Sequence, residues 1–256
     1  MLDVLTALAD HSLVRRLNSD GDPRFSLLET VREYGVDQLN LEGELESARH
    51  AHASFVLQLV EHLRPRIEVP EGPDVIQRFD AEHPNIRAAL AFSLSKQDGE
   101  LGNRLVASVW KYWVVHGHRH EARGWIERIL ELPGSTTPAF RLESLYSVSS
   151  FALDEGDFEE SERWGQEGLY LAREVGDTYL ESKMLFMLAL RAHRTGDAAG
   201  AVILCEQALG LAEESSASVP IAEHMTALIL VNLATLYRDL GKMNQALDAA
   251  QRAKSI

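Results

Sequence analysis

The sequence predicts an all-α protein, most of which is a row of stacked helix pairs, an α-solenoid. Three observations carry this. Apolar residues recur every three or four positions over long spans, and only eight prolines interrupt 256 residues. Four glycines, Gly117, Gly156, Gly196 and Gly241, each follow an apolar helical row, at spacings of 39, 40 and 45 residues, which marks a repeated unit. One short segment near the N-terminus reads as β structure.

The elements follow in chain order. Leu2, Leu5, Leu8 and Ala9 recur at helical spacing. Two short apolar runs, Leu13–Leu17 and Arg24–Leu28, flank an Asp-Gly turn and predict a hairpin over 13–28. Glu29–Tyr34 opens a second helix, with Val31, Tyr34 and Leu39 available for one face. Helix, two-stranded wing and helix form the tail of a winged helix. Residues 1–40 are too few for a whole one, so its remaining helices would lie upstream of Met1. A helical linker is expected over 41–100. Its first part, Leu41–Arg66, places Ala48, Ala51, Phe55, Leu59 and Leu63 on one stripe and ends at Pro65 and Pro70. Its second runs from about Asp74 to Ser95, with Pro84 expected to divide or kink it near His83.

From Leu101 to Ile256 the pattern becomes repetitive, in units of about 103–137, 142–176, 182–216 and 227–256. Each turn glycine is preceded by a row such as Leu185/Leu188/Ala189/Ala192 or Leu230/Leu233/Ala234/Tyr237. Five residues after each glycine stands a small residue: Ala122, Ser161, Ala201 or Ala246. A glycine ends the first helix because it accepts a left-handed backbone without a Cβ clash. The small residue lets the second helix approach closely, and one pair cannot bury its own apolar face, so pairs stack.

These residues resemble tetratricopeptide repeats. Gly156-Asp157-Phe158 and Gly196-Asp197-Ala198 stand at that family's Gly-x-aromatic turn, and Leu230, Leu233-Ala234, Tyr237, Gly241, Ala246 and Ala253 follow its pattern. Gly165 and Gly168 depart from it, and the period exceeds the usual 34. The resemblance covers roughly 100–256 and implies a right-handed superhelix of helix pairs. A narrower resemblance spans nearly the whole chain. SLLETVREYG at 26–35, AEHPNIRAAL at 81–90 and VWKYWVVHGHRHEARGWIERIL at 109–130, in this order, look like the middle and C-terminal part of bacterial STAND-class regulators. These are multidomain signalling ATPases often grouped with LuxR-family or SARP-type transcriptional regulators. The resemblance implies a sensor piece without the nucleotide-binding domain, whose winged helix is an intramolecular arm.

Charge and motif exclude several function classes. Asp and Glu number 39 against 25 Lys and Arg, a net charge of −14, so the chain as a whole is a poor polyanion binder. The first forty residues carry net −3, with Asp20 and Asp22 at the expected wing tip, so no direct DNA contact is expected. Gly241-Lys242 is followed by Met243, and Leu236 stands where a P-loop needs its first glycine. No secretory leader or membrane span is visible, and the single cysteine, Cys205, fits a reducing, cytoplasmic setting. Cys205 falls on the face of Ala201 and Ala208 and is expected to be buried and inert. Trp110, Trp113, Trp125 and Trp164 are expected to fill helix seams. His116, His118 and His120 are weak metal-ligand candidates that fit a polar inter-helix turn better. No cofactor and no catalytic residue is expected.

The array remains as the working surface. Counted from the turn glycines, the residues expected on its concave face are Lys111, Tyr146, Ser150, Lys183, Phe186, Arg194, Thr235 and Arg238. Residues 138–256 hold 10 basic and 18 acidic groups. Basic residues on the inner row of an acidic array favour an acidic or C-terminal peptide ligand, and the expected partner is a protein, a peptide or a small inducer. The alternative is a free-standing adaptor that scaffolds a complex. The last pair is expected to expose Leu247 and Ala250, and so either to self-associate or to lack C-terminal sequence that would cover them.

Overall fold

In this computed structural model, residues 2–17, 24–68, 73–134, 136–215 and 222–256 are described. Twelve α-helices and one two-stranded sheet are found among them. The chain divides into two compact units, Met1–Phe55 and Val56–Ile256.

In the first unit, α1 (Leu2–Asp10) leads into β1 (Val14–Leu17), which pairs antiparallel with β2 (Arg24–Leu27). Val14 stands opposite Leu27 and Leu17 opposite Arg24. The Asp-Gly turn between the strands lies outside the described residues. Helix α2 (Glu29–Leu41) follows, but it buries none of its residues and Tyr34 is 65% exposed, so the expected Tyr34 face is not a core face. The helix expected from Leu41 begins instead at α3 (Leu45–Leu63), because Gly43, at φ 73°, reverses the backbone while the Glu44 N–H donates to the Leu39 carbonyl.

Helix α3 straddles the boundary between the units. Its buried residues are Ala53, Val56, Leu57, Val60 and Leu63, while Phe55 is 62% exposed. The expected stripe through Ala48, Ala51, Phe55 and Leu59 is therefore corrected. Both stripes have helical spacing, and packing selects the one carrying the valines. A 3₁₀ turn, Arg64–Glu68, follows.

Helix α4 (Pro73–Lys96) runs through Pro84 undivided, so of the two expected outcomes, division or a kink, the division does not occur. A proline inside a helix costs one hydrogen bond and a clash, about 3 kcal/mol. The burial of Phe79, Ile86, Ala89 and Leu90, each 0% exposed, offsets this. Within the second unit α4 lies against α5 (Gly99–His116) and α6 (Arg119–Leu130).

The repeats are the pairs α5/α6, α7 (Pro138–Glu155)/α8 (Phe158–Val175), α9 (Thr178–Arg194)/α10 (Ala198–Ser215) and α11 (Ala222–Asp239)/α12 (Met243–Ser255). The four turn glycines take φ of 76°, 81°, 90° and 72°, a conformation that costs other residues about 1 kcal/mol or more. Aspartates cap the next helix in the same turns: Asp157 accepts from the Glu160 N–H at 3.3 Å and Asp197 from the Gly200 N–H at 2.8 Å. The small residues Ala122, Ser161 and Ala201 are at most 1% exposed. Gly165 and Gly168, the departures from the repeat pattern, are explained by close packing between pairs. A Cβ at Gly165 would meet Leu188 at 2.8 Å, and one at Gly168 would meet Met184 at 2.6 Å. Arg123 ties the first pair to the second through Glu155 and Asp157 at 2.8 and 2.6 Å, while Glu127 of its own helix holds it at 2.7 Å.

Candidate functional site

First helices of successive pairs pack on one another: α5 on α7, α7 on α9, α9 on α11. This brings equivalent positions into line. Glu143, Lys183 and Leu228 each stand 13 residues before their turn glycines Gly156, Gly196 and Gly241. Side chains from all four first helices converge on a cleft of about 240 Å³. Helix α5 contributes Trp110 and Lys111, α7 contributes Glu143 and Tyr146, and α9 contributes Tyr179 and Lys183. Helix α11 closes the end with His224, Met225 and Leu228, and Arg64 reaches in from the 3₁₀ turn.

Local sequence sets these positions. Asp177 caps α9 by accepting from the Leu180 N–H at 2.9 Å, which places Tyr179 and Lys183 one turn apart. Thr137, before α7, is held by Glu100, which accepts from its N–H at 2.7 Å and its hydroxyl at 2.9 Å. Glu143 and Tyr146 follow, three residues apart on one face.

The centre of the cleft is an ion pair framed by rings. The Lys183 ammonium donates to Glu143 Oε2 at 2.8 Å, and Arg64 lies 3.8 Å from Oε1. Lys183 is only 5% exposed. Its ammonium stands 4.4 Å from the Tyr146 ring centre, 5.9 Å from Tyr179 and 6.0 Å from Trp110, within cation–π range. Trp110 and Tyr146 meet edge to face at 5.7 Å, and the Lys111 ammonium lies 5.7 Å from the Trp110 ring. Burial alone would raise the Glu143 pKa, but the nearby charges of Lys183, Arg64 and Lys111 hold it below the usual carboxylate range. Burial, then the Glu143 charge, pushes the Tyr146 hydroxyl well above its ordinary value, so it stays protonated.

Of the residues expected on the concave face, Lys111, Tyr146 and Lys183 meet in this cleft. The others do not. Phe186 is 1% exposed and packs in the core, which corrects its expected place on the concave face. Ser150 is half-buried and Arg194 exposed, both away from the cleft lining. The Thr235 hydroxyl donates to the Val231 carbonyl within its own helix, and Arg238 pairs with its neighbour Asp239 at 3.1 Å. Sequence reasoning missed Arg64, Glu143, Tyr179, His224, Met225 and Leu228, and assigned Trp110 to a helix seam rather than to the cleft. The 13-residue register would have found Glu143 and Leu228, whereas nothing local points to Arg64.

The tryptophans divide. Trp113 and Trp164 are buried at 1% and 5% exposure, while Trp110 and Trp125 are half-buried. Cys205 is fully buried, and burial, then Glu206, pushes its thiol up to about 12. Of the three histidines of the first turn, His116 and His118 keep their rings 6.4 Å apart beside Tyr112, while His120 points away. His116 Nδ1 lies 3.0 Å from Asp80, the His118 ring lies 4.5 Å from the His83 ring, and the His120 side chain is 98% exposed. Among the described residues no three His, Cys, Asp or Glu side chains are placed to hold a metal, and no helix is long and apolar enough to cross a membrane.

No protein-family model matches the chain. A "Putative HTH-type transcriptional regulator" of Mycobacterium bovis, and another so named from Mycobacterium tuberculosis, are each 31% identical over 188 residues. The match takes in 69% of this chain but spans only 21% of the length of either relative. Among solved structures, BtubC of P. vanneervenii is similar at a TM-score of 0.58 and 17% identity, over 82% of this chain and 90% of that one. A Signal Transduction ATPase with Numerous Domains with a tetratricopeptide repeat sensor, from Pyrococcus horikoshii, is similar at a TM-score of 0.53 and 13% identity, over 97% of this chain and 38% of that one. With its glycine turns and paired helices, the chain has a tetratricopeptide-like repeat fold.

Proposed function

We propose that the chain is a non-catalytic regulatory and protein-interaction module. It is the sensor part of a STAND-type signalling ATPase or transcriptional regulator of the LuxR or SARP kind, and acts in the cytoplasm. Residues 1–40 are the tail of a winged helix that serves as an intramolecular arm. The first-helix face of the repeats seats the partner or inducer. The observation that carries this reading is the convergence of side chains from four successive first helices on one cleft. The likeness to named transcriptional regulators and to a STAND repeat sensor supports it. In an intact regulator, a ligand on this face shifts the ATPase equilibrium only if it binds the two states with different affinity.

The free-standing adaptor has one observation on its side: the chain matches 90% of BtubC, so an array of this extent also occurs in a shorter chain. An upstream reading frame encoding GxxxxGK[ST] separates the two readings.

A photo-crosslinking residue tests the binding face. Placed at Tyr179 or Leu228 it should capture the partner in host cells. At Tyr170 or Ile203, which are 70% and 58% exposed on second helices, it should not. Equal capture from both sets removes the first-helix face as the working surface.

A further inference from the structure

The junctions between successive helix pairs are not filled alike. The eighth residue after each turn glycine is Trp125, Trp164, Leu204 and Ala249 in successive pairs. Trp164 is 5% exposed and Ala249 4%, so the position is buried in both, while the side chain shrinks from an indole to a methyl. The fourth residue before the glycine changes the other way: Ala152 and Ala192 are followed by Tyr237, whose hydroxyl donates to Glu206 on α10. Tyr237 returns part of the lost volume, yet a hollow of about 400 Å³ remains among α10, α11 and α12.

The floor of this hollow is apolar: Leu230, Leu233 and Ala249 line it and are buried. Its rim carries two exposed carboxylates, Glu206 and Asp248. Among the described residues, neither is in ion-pair range of a cation. Arg252, also on the rim, is taken up by Glu213 at 2.6 Å. The Lys242 ammonium stands 5.9 Å from the Tyr237 ring centre rather than at a carboxylate. The repeat places an indole of its own at the corresponding position of the second pair, so the hollow suits a flat ring. The rim suits a positive charge attached to that ring.

We propose that this hollow binds a small aromatic amine. The ring enters at the position that earlier pairs give to Trp164 and Leu204, and the ammonium meets Glu206 and Asp248. The ring covers Leu230 and Leu233 and takes apolar surface out of water. The carboxylates accept charge-assisted hydrogen bonds from the ammonium. This site shares no lining residue with the first-helix cleft, so it stands whether or not that cleft seats the partner.

Calorimetric titration of the whole chain tests this with three probes that share one ring: tryptamine, tryptophol and indole-3-acetate. Tryptamine should bind and the acid should not. The alcohol should bind about tenfold or more weaker, the loss expected for a charge-assisted hydrogen bond. Asp248→Asn, at an exposed position, should weaken tryptamine by a similar factor. Ala249→Leu, which copies Leu204 of the preceding pair, should fill the hollow and abolish binding, with a melting temperature at or above that of the parent. Leu228→Gln, in the first-helix cleft, should leave tryptamine binding unchanged. The proposal is overturned if the alcohol or the acid binds as tightly as the amine, or if tryptamine shows no heat up to about 10 mM. Undiminished binding in Asp248→Asn or Ala249→Leu also overturns it. A lowered melting temperature in Ala249→Leu would show that the hollow has no room for a side chain, and loss of binding in Leu228→Gln would assign the probe to the other cleft; either result overturns the site.

Discussion

At the scale of single residues, the Lys183–Glu143 pair is both a structural element and the core of the cleft. Removing one partner of a buried pair strands the other charge. Lys183→Met should therefore destabilise the chain by about 3 kcal/mol in urea titration. The double change Lys183→Met with Glu143→Leu should recover most of that loss, since apolar replacements of buried pairs are often neutral. The same pair sets an acid dependence. Glu143 ionises more readily in the folded chain than its ordinary value of 4.5. Its contribution is thus present above that value and is lost as pH falls through the lower, folded one. Unfolding midpoints measured from pH 7 down to pH 3 (about two units on either side of carboxylate titration) should fall less steeply in Glu143→Gln than in the parent. Cys205 makes a separate statement. Its thiol, fully buried and raised to about 12, should resist maleimide at neutral pH and react once urea unfolds the chain. Labelling of the native chain at the rate of a free thiol would contradict its burial. The position of Cys205 on the Ala201 and Ala208 face was legible in the sequence, because a four-residue step keeps a helical face. The partners of Glu143 were not, since Arg64 and Lys183 come from segments far away in sequence.

At the scale of elements, the packing of α8 on α9 depends on glycine at Gly165 and Gly168, as that of α5 on α6 does at Gly102. Gly168→Ala would bring a methyl to 2.6 Å from Met184, itself fully buried. Overpacking of this kind costs about 1–3 kcal/mol, more than the 0.5–1 kcal/mol that alanine gains in a helix interior, on the order given by propensity. Gly210 in α10 meets nothing within 4 Å, so Gly210→Ala should stabilise by about 0.5–1 kcal/mol. Thermal melts of the two variants should shift in opposite directions. A stabilised Gly168→Ala would mean that the two helices are not in close contact. The turns between helices were legible in the sequence from their glycines, and at Gly156-Asp157 and Gly196-Asp197 the aspartate encodes the new cap as well. The buried side of α3 was not. Its sequence supports two stripes of equal spacing, and only neighbouring helices choose between Phe55 and Val56. Pro84 shows the same limit: the local rule predicts a break or a kink, and the burial of its neighbours offsets the cost that would divide the helix.

At the scale of the whole molecule, the last helix pair presents apolar side chains to solvent: Met243 at 61% exposure, Leu247 at 60%, and Ala250 beside them. Exposed apolar clusters of this kind favour association. Light scattering at rising concentration should show self-association that Leu247→Glu with Met243→Glu abolishes, and a sharp monomer at every concentration would contradict this. The sequence by itself determined the all-helical class, the hairpin, the repeat units and their turns. These depend on periodicity and on backbone conformations that few residues accept, and both are local properties. Only the tertiary structure decided the cleft. Arg64, Glu143, Lys183 and Leu228 lie on four separate helical segments. Their meeting depends on how each pair leans on the next, which is set by contacts between whole helices rather than by any one stretch of chain.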